Sequence, residues 1–143
     1  RVKRYLRKLF AQSPQFLFGD ALNFLSSLKQ DSQNIIVLFT KGEKRYQDRK
    51  VFLALGTNRY LFNEIVVVED VSKAPYIKKI SDFYKADKVF FVDDSSEELI
   101  DSKMVLPNII TILIDRYQRG HCFSTNFSVV NLAKAIKIIR SGG

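Results

Sequence analysis

What this chain has little of narrows its chemistry first. It holds one cysteine, Cys122, and one histidine, His121. A lone cysteine forms no internal disulfide, which sets the expectation of a reducing, cytoplasmic setting. The adjacent pair His121–Cys122 does not have the ligand spacing of a zinc site, so both are read as loop residues. No apolar run approaches the ~20 residues that span a bilayer and no secretory signal is visible, so no membrane association is expected. There is no internal repeat, no low-complexity stretch and no linker. No stacking-aromatic motif of an RNA-binding sheet and no zinc finger accompanies the basic residues, so the chain carries no nucleic-acid motif.

What is present is enough for one ordinary domain. At 143 residues and 46% apolar content, with phenylalanine the main aromatic, the chain buries a real core. The formal charge of +8 suits anionic partners, a phosphorylated small molecule or a phosphoprotein among them. The excess is uneven. Arg1, Lys3, Arg4, Arg7 and Lys8 crowd the start, and Lys41, Lys44, Arg45, Arg49 and Lys50 form a second cluster. Both are read as solvated helix faces. The oligomeric state is left open.

Apolar runs and helical stripes alternate along the chain. Val2, Tyr5, Leu6, Leu9 and Phe10 sit at helical spacing until Ser13-Pro14 ends the segment. Phe16-Leu17-Phe18 is a short apolar piece, and Gly19-Asp20 opens a helix with Asp20 as its cap and Ala21, Leu22, Leu25 and Leu28 inward. Four all-apolar runs, Ile35–Phe39, Ile65–Val68, Val89–Val92 and Ile109–Ile114, read as strands buried on both faces, and Val129-Val130 as a last short one. Helices fall between them: Glu43–Leu55 with Val51, Phe52 and Leu55 inward and Gly56 as its stop, Ser72–Tyr84 with Ile77, Ile80 and Phe83 on one stripe, and a short one near Glu97–Lys103. Asn131 caps a final helix carrying Leu132, Ala133, Ile136 and Ile139. This alternation predicts an α/β fold, a Rossmann-like three-layer αβα sandwich with a mostly parallel sheet. Right-handed crossovers then bring the carboxyl ends of the strands to one edge, which gathers Thr40, Glu69 or Asp70, Asp93, Asp94 and Asp115.

The strongest chemical signal on that edge is Asp93-Asp94. Two adjacent carboxylates repel unless a cation neutralises them, and Mg2+ takes hard oxygen ligands with one or two protein carboxylates. The following Ser95, Ser96, Glu97 and Glu98 also suit a helix N-terminus, and both readings hold at once. Thr40, ahead of Lys41-Gly42, offers a hydroxyl and backbone amides to a phosphate oxygen. Lys73, near a helix start, is placed to neutralise a developing anion.

The order Ile35-Ile36-Val37-Leu38-Phe39-Thr40-Lys41-Gly42, then Ser72-Lys73-Ala74-Pro75, then Val89-Phe90-Phe91-Val92-Asp93-Asp94-Ser95, resembles the second, third and fourth motifs of the haloacid dehalogenase-like (HAD) hydrolase superfamily. Gly19–Leu25 looks like the helix leading into the family's second strand, and Ile109–Arg116 like the strand after the fourth motif. The resemblance covers about residues 15–140 and implies a magnesium-dependent phosphatase that works through an aspartyl-phosphate. In it Thr40 and Lys73 are the catalytic-site residues, and Asp93 and Asp94 are the metal ligands. One departure is large. No Asp-x-Asp occurs anywhere in the chain, although the family's nucleophile and its general acid/base come from that motif.

Either the motif precedes Arg1 in a longer protein or it was lost. The absence of an initial methionine, and a start inside a helical pattern, set the expectation of an N-terminally truncated single HAD-like core over residues 1–143. Residues 1–14 are then a remnant of a cap, flap or linker helix. A rival alignment makes Phe16-Leu17-Phe18 the first strand and Asp20 the nucleophile, with Leu22 where the second aspartate belongs. The alternative function is a non-catalytic relative that keeps the fold for interaction or anion binding.

Overall fold

Residues 19–120 and 124–143 are described by the computed structural model. The expected helix over residues 2–10, the Ser13-Pro14 break, Phe16–Phe18 and the pair His121–Cys122 lie outside them. The chain forms two units, one up to Val71 and one over Ser72–Gly143, and each is described by itself.

In the first unit, helix α1 (Gly19–Lys29) leads to strand β1 (Val37–Lys41), helix α2 (Lys44–Leu55), a 3-10 turn over Gly56–Leu61 and strand β2 (Glu64–Val68). Asp20 lies in the first turn of α1, where its charge suits the helix dipole. Leu25 is the buried residue of α1 and packs with Ile36 and Leu61, flanked by Leu22, Phe24, Leu28 and Phe62. Strands β1 and β2 pair in parallel from Val37 opposite Glu64 to Lys41 opposite Val68. The strand expected at Ile35–Phe39 therefore sits two residues later. The cause is Asn63, whose side chain accepts from the Ile36 N–H at 2.8 Å while its own N–H donates to the Ile36 carbonyl at 2.7 Å. This clamp stops the ladder at Ile36 and carries the pairing through Thr40. Gly56 ends α2 at φ 51°, a left-handed position that suits glycine. Val51 and Leu55 are buried as expected, but Phe52 is 61% exposed.

In the second unit, helix α3 (Ala74–Tyr84), strand β3 (Phe90–Asp93), helix α4 (Ser96–Val105), strand β4 (Ile110–Ile114), strand β5 (Phe127–Val129) and helix α5 (Leu132–Arg140) follow in order. Pairing is parallel throughout, in the order β3-β4-β5. The expected strand at Val129-Val130 is the three-residue β5. Pro75 occupies the first turn of α3, where its missing N–H costs nothing. Ile77 is buried, but Phe83 is 74% exposed, its ring edge-on to Tyr84 at 5.0 Å. The stripe on α3 is narrower than the periodicity suggested. Asn131 caps α5 by accepting from the Lys134 N–H, and Ala135, not Ala133, is its buried alanine.

A second asparagine clamp stands ahead of β5. Asn126 Oδ1 accepts from both the Thr111 N–H and the Thr111 hydroxyl, and the Thr111 oxygen accepts in turn from the Asn126 N–H at 3.0 Å. Thr111 is fully buried in β4. The alternation of helices with parallel strands is an α/β, Rossmann-like fold.

The clamp at Asn126 gives a direct test. Asn126→Ala leaves the buried Thr111 donors without an acceptor and is expected to lower the unfolding free energy by about 1–3 kcal/mol for each stranded group. Urea denaturation measures it. Adding Thr111→Val to that variant, which removes the stranded hydroxyl, is expected to return part of the loss.

Candidate functional site

The carboxyl end of β3 is where charge goes below the surface. Asp93 is the last residue of the strand, and Lys73 precedes the first turn of α3. Lys73 Nζ donates to Asp93 Oδ2 at 2.6 Å, with side chains only 10% and 8% exposed. The ammonium also lies 6.0 Å from the centre of the Phe91 ring. The other Asp93 oxygen accepts from the Ser95 N–H at 2.9 Å, which turns the chain out of β3 and into α4. Ser95 then caps α4 by accepting from the Glu98 N–H. Glu98, 5% exposed, reaches back to accept from the Lys73 N–H at 2.9 Å. The start of α3, the end of β3 and the start of α4 are thus tied into one polar knot.

Burial pushes the Asp93 carboxyl above its ordinary value of 3.8, against the pull of the Lys73 bond and charge and of the Ser95 N–H, with Asp94 adding to the rise. Asp94 itself is exposed at the strand end. Of the two expected magnesium ligands, Asp93 is therefore engaged by Lys73 and Ser95, and Asp94 is the carboxylate turned to solvent. An exposed aspartate beside a second one fits a hard cation that keeps most of its waters. Among the described residues no group of three or more His, Cys, Asp or Glu side chains converges on a metal position.

The remaining edge carboxylates have structural work. Glu69 accepts from the Lys44 N–H at 2.5 Å and so occupies the N-terminus of α2. Asp115 gathers the loop after β4, one oxygen accepting from the Arg119 N–H and the other from the Gly120 N–H.

Thr40 lies in the first unit, inside β1 and opposite Val67. Its hydroxyl donates to Gln47 Oε1 at 2.7 Å, and Gln47 is buried on α2. The backbone amides beyond Thr40 are engaged, Gly42 N–H with the Val68 carbonyl and Lys44 N–H with Glu69. Gly42 is at φ 139°, and a Cβ there would lie 2.6 Å from Gln47 Nε2, so the turn requires glycine both for its conformation and for the buried amide. The structure thus joins Lys73 to Asp93, keeps Asp94 beside them, and gives Thr40 a partner of its own. Asp20, the rival nucleophile, is a helical residue of α1.

Gln47 and Glu98 escaped the sequence reading. Gln47 stands on the helical stripe with Val51 and Leu55, four residues apart each time, and that spacing is the signal that could have found it. Glu98 was read as a first-turn charge, and nothing local marks it as the partner of a backbone 25 residues away.

Two outcomes follow from the ion pair. Lys73→Met strands the Asp93 carboxylate and is expected to destabilise the fold by about 3–5 kcal/mol at neutral pH, whereas Lys73→Met with Asp93→Leu recovers most of it. Urea unfolding of the two variants separates an uncompensated charge from lost packing. The second outcome concerns pH. A carboxyl held above 3.8 binds its proton more tightly in the folded than in the unfolded chain. Stability from this group is therefore present at low pH and is lost as pH rises from 3.8 through the folded value. Compared with Asp93→Asn, the wild type is expected to gain stability as pH falls through that window, and parallel pH profiles would count against it.

No family model and no curated protein matches this chain. Among solved structures, the crystal structure of a protein from Burkholderia xenovorans LB400, described as a candidate haloacid dehalogenase-like hydrolase, superposes with a TM-score of 0.67 at 16% identity. The match covers 87% of this chain and 58% of that one, so this chain spans under two thirds of its neighbour's length. At that identity the likeness speaks to architecture alone: this chain shares the α/β fold of that structure.

Proposed function

We propose that this chain is the core of a magnesium-dependent phosphatase that works through an aspartyl-phosphate, and that the chain by itself does not turn over. The observation that carries the reading is the buried pair Lys73–Asp93 at the carboxyl end of a parallel strand. A lysine folded into a protein interior is costly unless it has a task or a partner. Here the partner is an aspartate whose neighbour, Asp94, faces solvent at the edge where α/β sheets take their ligands. The fold shared with a candidate HAD-like hydrolase supports the same reading.

In this proposal Lys73 supplies positive charge that stabilises an anion forming near Asp93. Asp93 orients that ammonium, and Glu98 fixes the Lys73 backbone. Asp94, with Asp93 behind it, would hold Mg2+, which when bound screens the charge of an incoming phosphate. No Asp-x-Asp is present to attack phosphorus. Each tenfold in rate corresponds to about 1.4 kcal/mol of barrier, and residual electrostatics do not replace a covalent route.

Magnesium titration followed by NMR is expected to shift the amides of Asp94 and Ser95 first, with weak affinity. First shifts at Glu69 or Asp115 would place the cation elsewhere. Hydrolysis of an aryl phosphate by the purified chain is expected to stay at background with magnesium present. Magnesium-dependent turnover that Asp20→Asn abolishes would establish Asp20 as the nucleophile instead.

A further inference from the structure

Helix α2 has a second face that the proposed phosphatase reading does not use. Between Lys41 and Tyr60 the chain carries six Lys or Arg against two carboxylates, Glu43 and Asp48. Asp48 is held by Lys44 at 2.6 Å. Arg45, Arg49 and Lys50 are exposed and have no carboxylate partner among the described residues. The sequence placed Phe52 inward; the structure turns it out among these cations, 61% exposed. Arg45, Arg49 and Phe52 stand at i, i+4 and i+7 and so form one row on the helix. Tyr46, 39% exposed, and Lys50 form a second row beside it. The inward side is filled by Gln47, Val51 and Leu55. The chain then runs straight into the 3-10 turn, where Arg59 and Tyr60 are exposed as well, Tyr60 by 69%.

Neither property of this face helps α2 to fold. Arginines one turn apart repel, and an exposed phenylalanine leaves apolar surface in water. Both properties are satisfied together by a ligand that brings negative charge and flat apolar rings at short, regular intervals. We propose that the exposed surface of α2 binds single-stranded nucleic acid, with phosphates on Arg45 and Arg49 of the first row and on Lys50 of the second, and a base stacked on Phe52 beside the two arginines. Cations interleaved with aromatics are the recurring means of holding a single strand without reading its sequence.

Two other polyanions fit less well. A helix that lies on an anionic bilayer inserts an apolar face and keeps its cations at the rim. Here the apolar face of α2 is already buried in its own unit, and Phe52 stands in the same row as Arg45 and Arg49, so inserting the ring would draw the arginines in with it. An acidic polypeptide would use the cations and leave the Phe52 ring in water. A single strand uses the cations and that ring together.

The test is fluorescence anisotropy of a labelled oligouridylate of about 12 nucleotides with the full chain, between about 50 and 200 mM salt. Binding is expected to weaken with salt with a log–log slope of about −2, for three cations at roughly −0.7 each. Arg45→Gln with Arg49→Gln is expected to flatten that slope to about −0.7. Phe52→Ala is expected to weaken binding about fivefold while keeping the slope, because a lost stacking partner releases no counterions. All three side chains are exposed, and circular dichroism confirms that the variants fold. The proposal is overturned by an absence of binding at the lowest salt, by a duplex of the same length bound as tightly as the single strand, or by Phe52→Ala without effect. Phosphatidylserine vesicles captured by a chain that ignores the oligonucleotide overturn it in favour of a membrane surface.

Discussion

The second unit is organised around a charge that it cannot leave unpaired. Lys73 and Asp93 meet at 2.6 Å with almost no access to water, and each would be costly to bury alone. Holding them together requires α3 to begin beside the end of β3. The supporting bonds enforce that position: Ser95 N–H on the free oxygen of Asp93, and Glu98 on the backbone of Lys73. The capping of α4 by Ser95 belongs to the same arrangement, since the turn that satisfies Asp93 also delivers the cap. A polar network of this kind tolerates little change, because removing one member strands the rest in a medium of low dielectric.

The first unit solves a similar problem without ions. Thr40 gives its proton to Gln47, and Gly42 lets the buried amide approach the backbone. Asn63 in this unit and Asn126 in the other hold the neighbouring strand at the point where their own strand is about to begin. An asparagine carries donor and acceptor on a short arm, which suits it to cover backbone groups that have left the ladder. Register in a parallel pair has no hairpin turn to set it, and these side chains serve in its place.

Much of the fold was legible because the strands here are apolar without alternation and end abruptly in charge. Ile110–Ile114 followed by Asp115 needs no partner to be recognised. The starts were less legible: β1 shifted by two residues because Asn63, 27 positions away, holds Ile36. Lys73 and Asp93 were both named from sequence, yet their contact was not, since nothing in a linear chain distinguishes one lysine of many as the buried one. Phe52 and Phe83 are expected inward as apolar members of helical stripes, and the narrowness of the buried stripes on α2 and α3 leaves them out. Helical spacing gives a face, and the depth of that face depends on what packs against it.

Glu69 already seats a carboxylate on the first turn of α2. That bond spans 25 positions, from the residue after β2 back to the first residue of α2. The crossover that separates two parallel strands is thereby tied at both ends: the ladder joins the strands, and one carboxylate joins the exit of the second to the start of the helix between them. A parallel pair without a hairpin turn gains from this bond the local closure that a turn would otherwise give it.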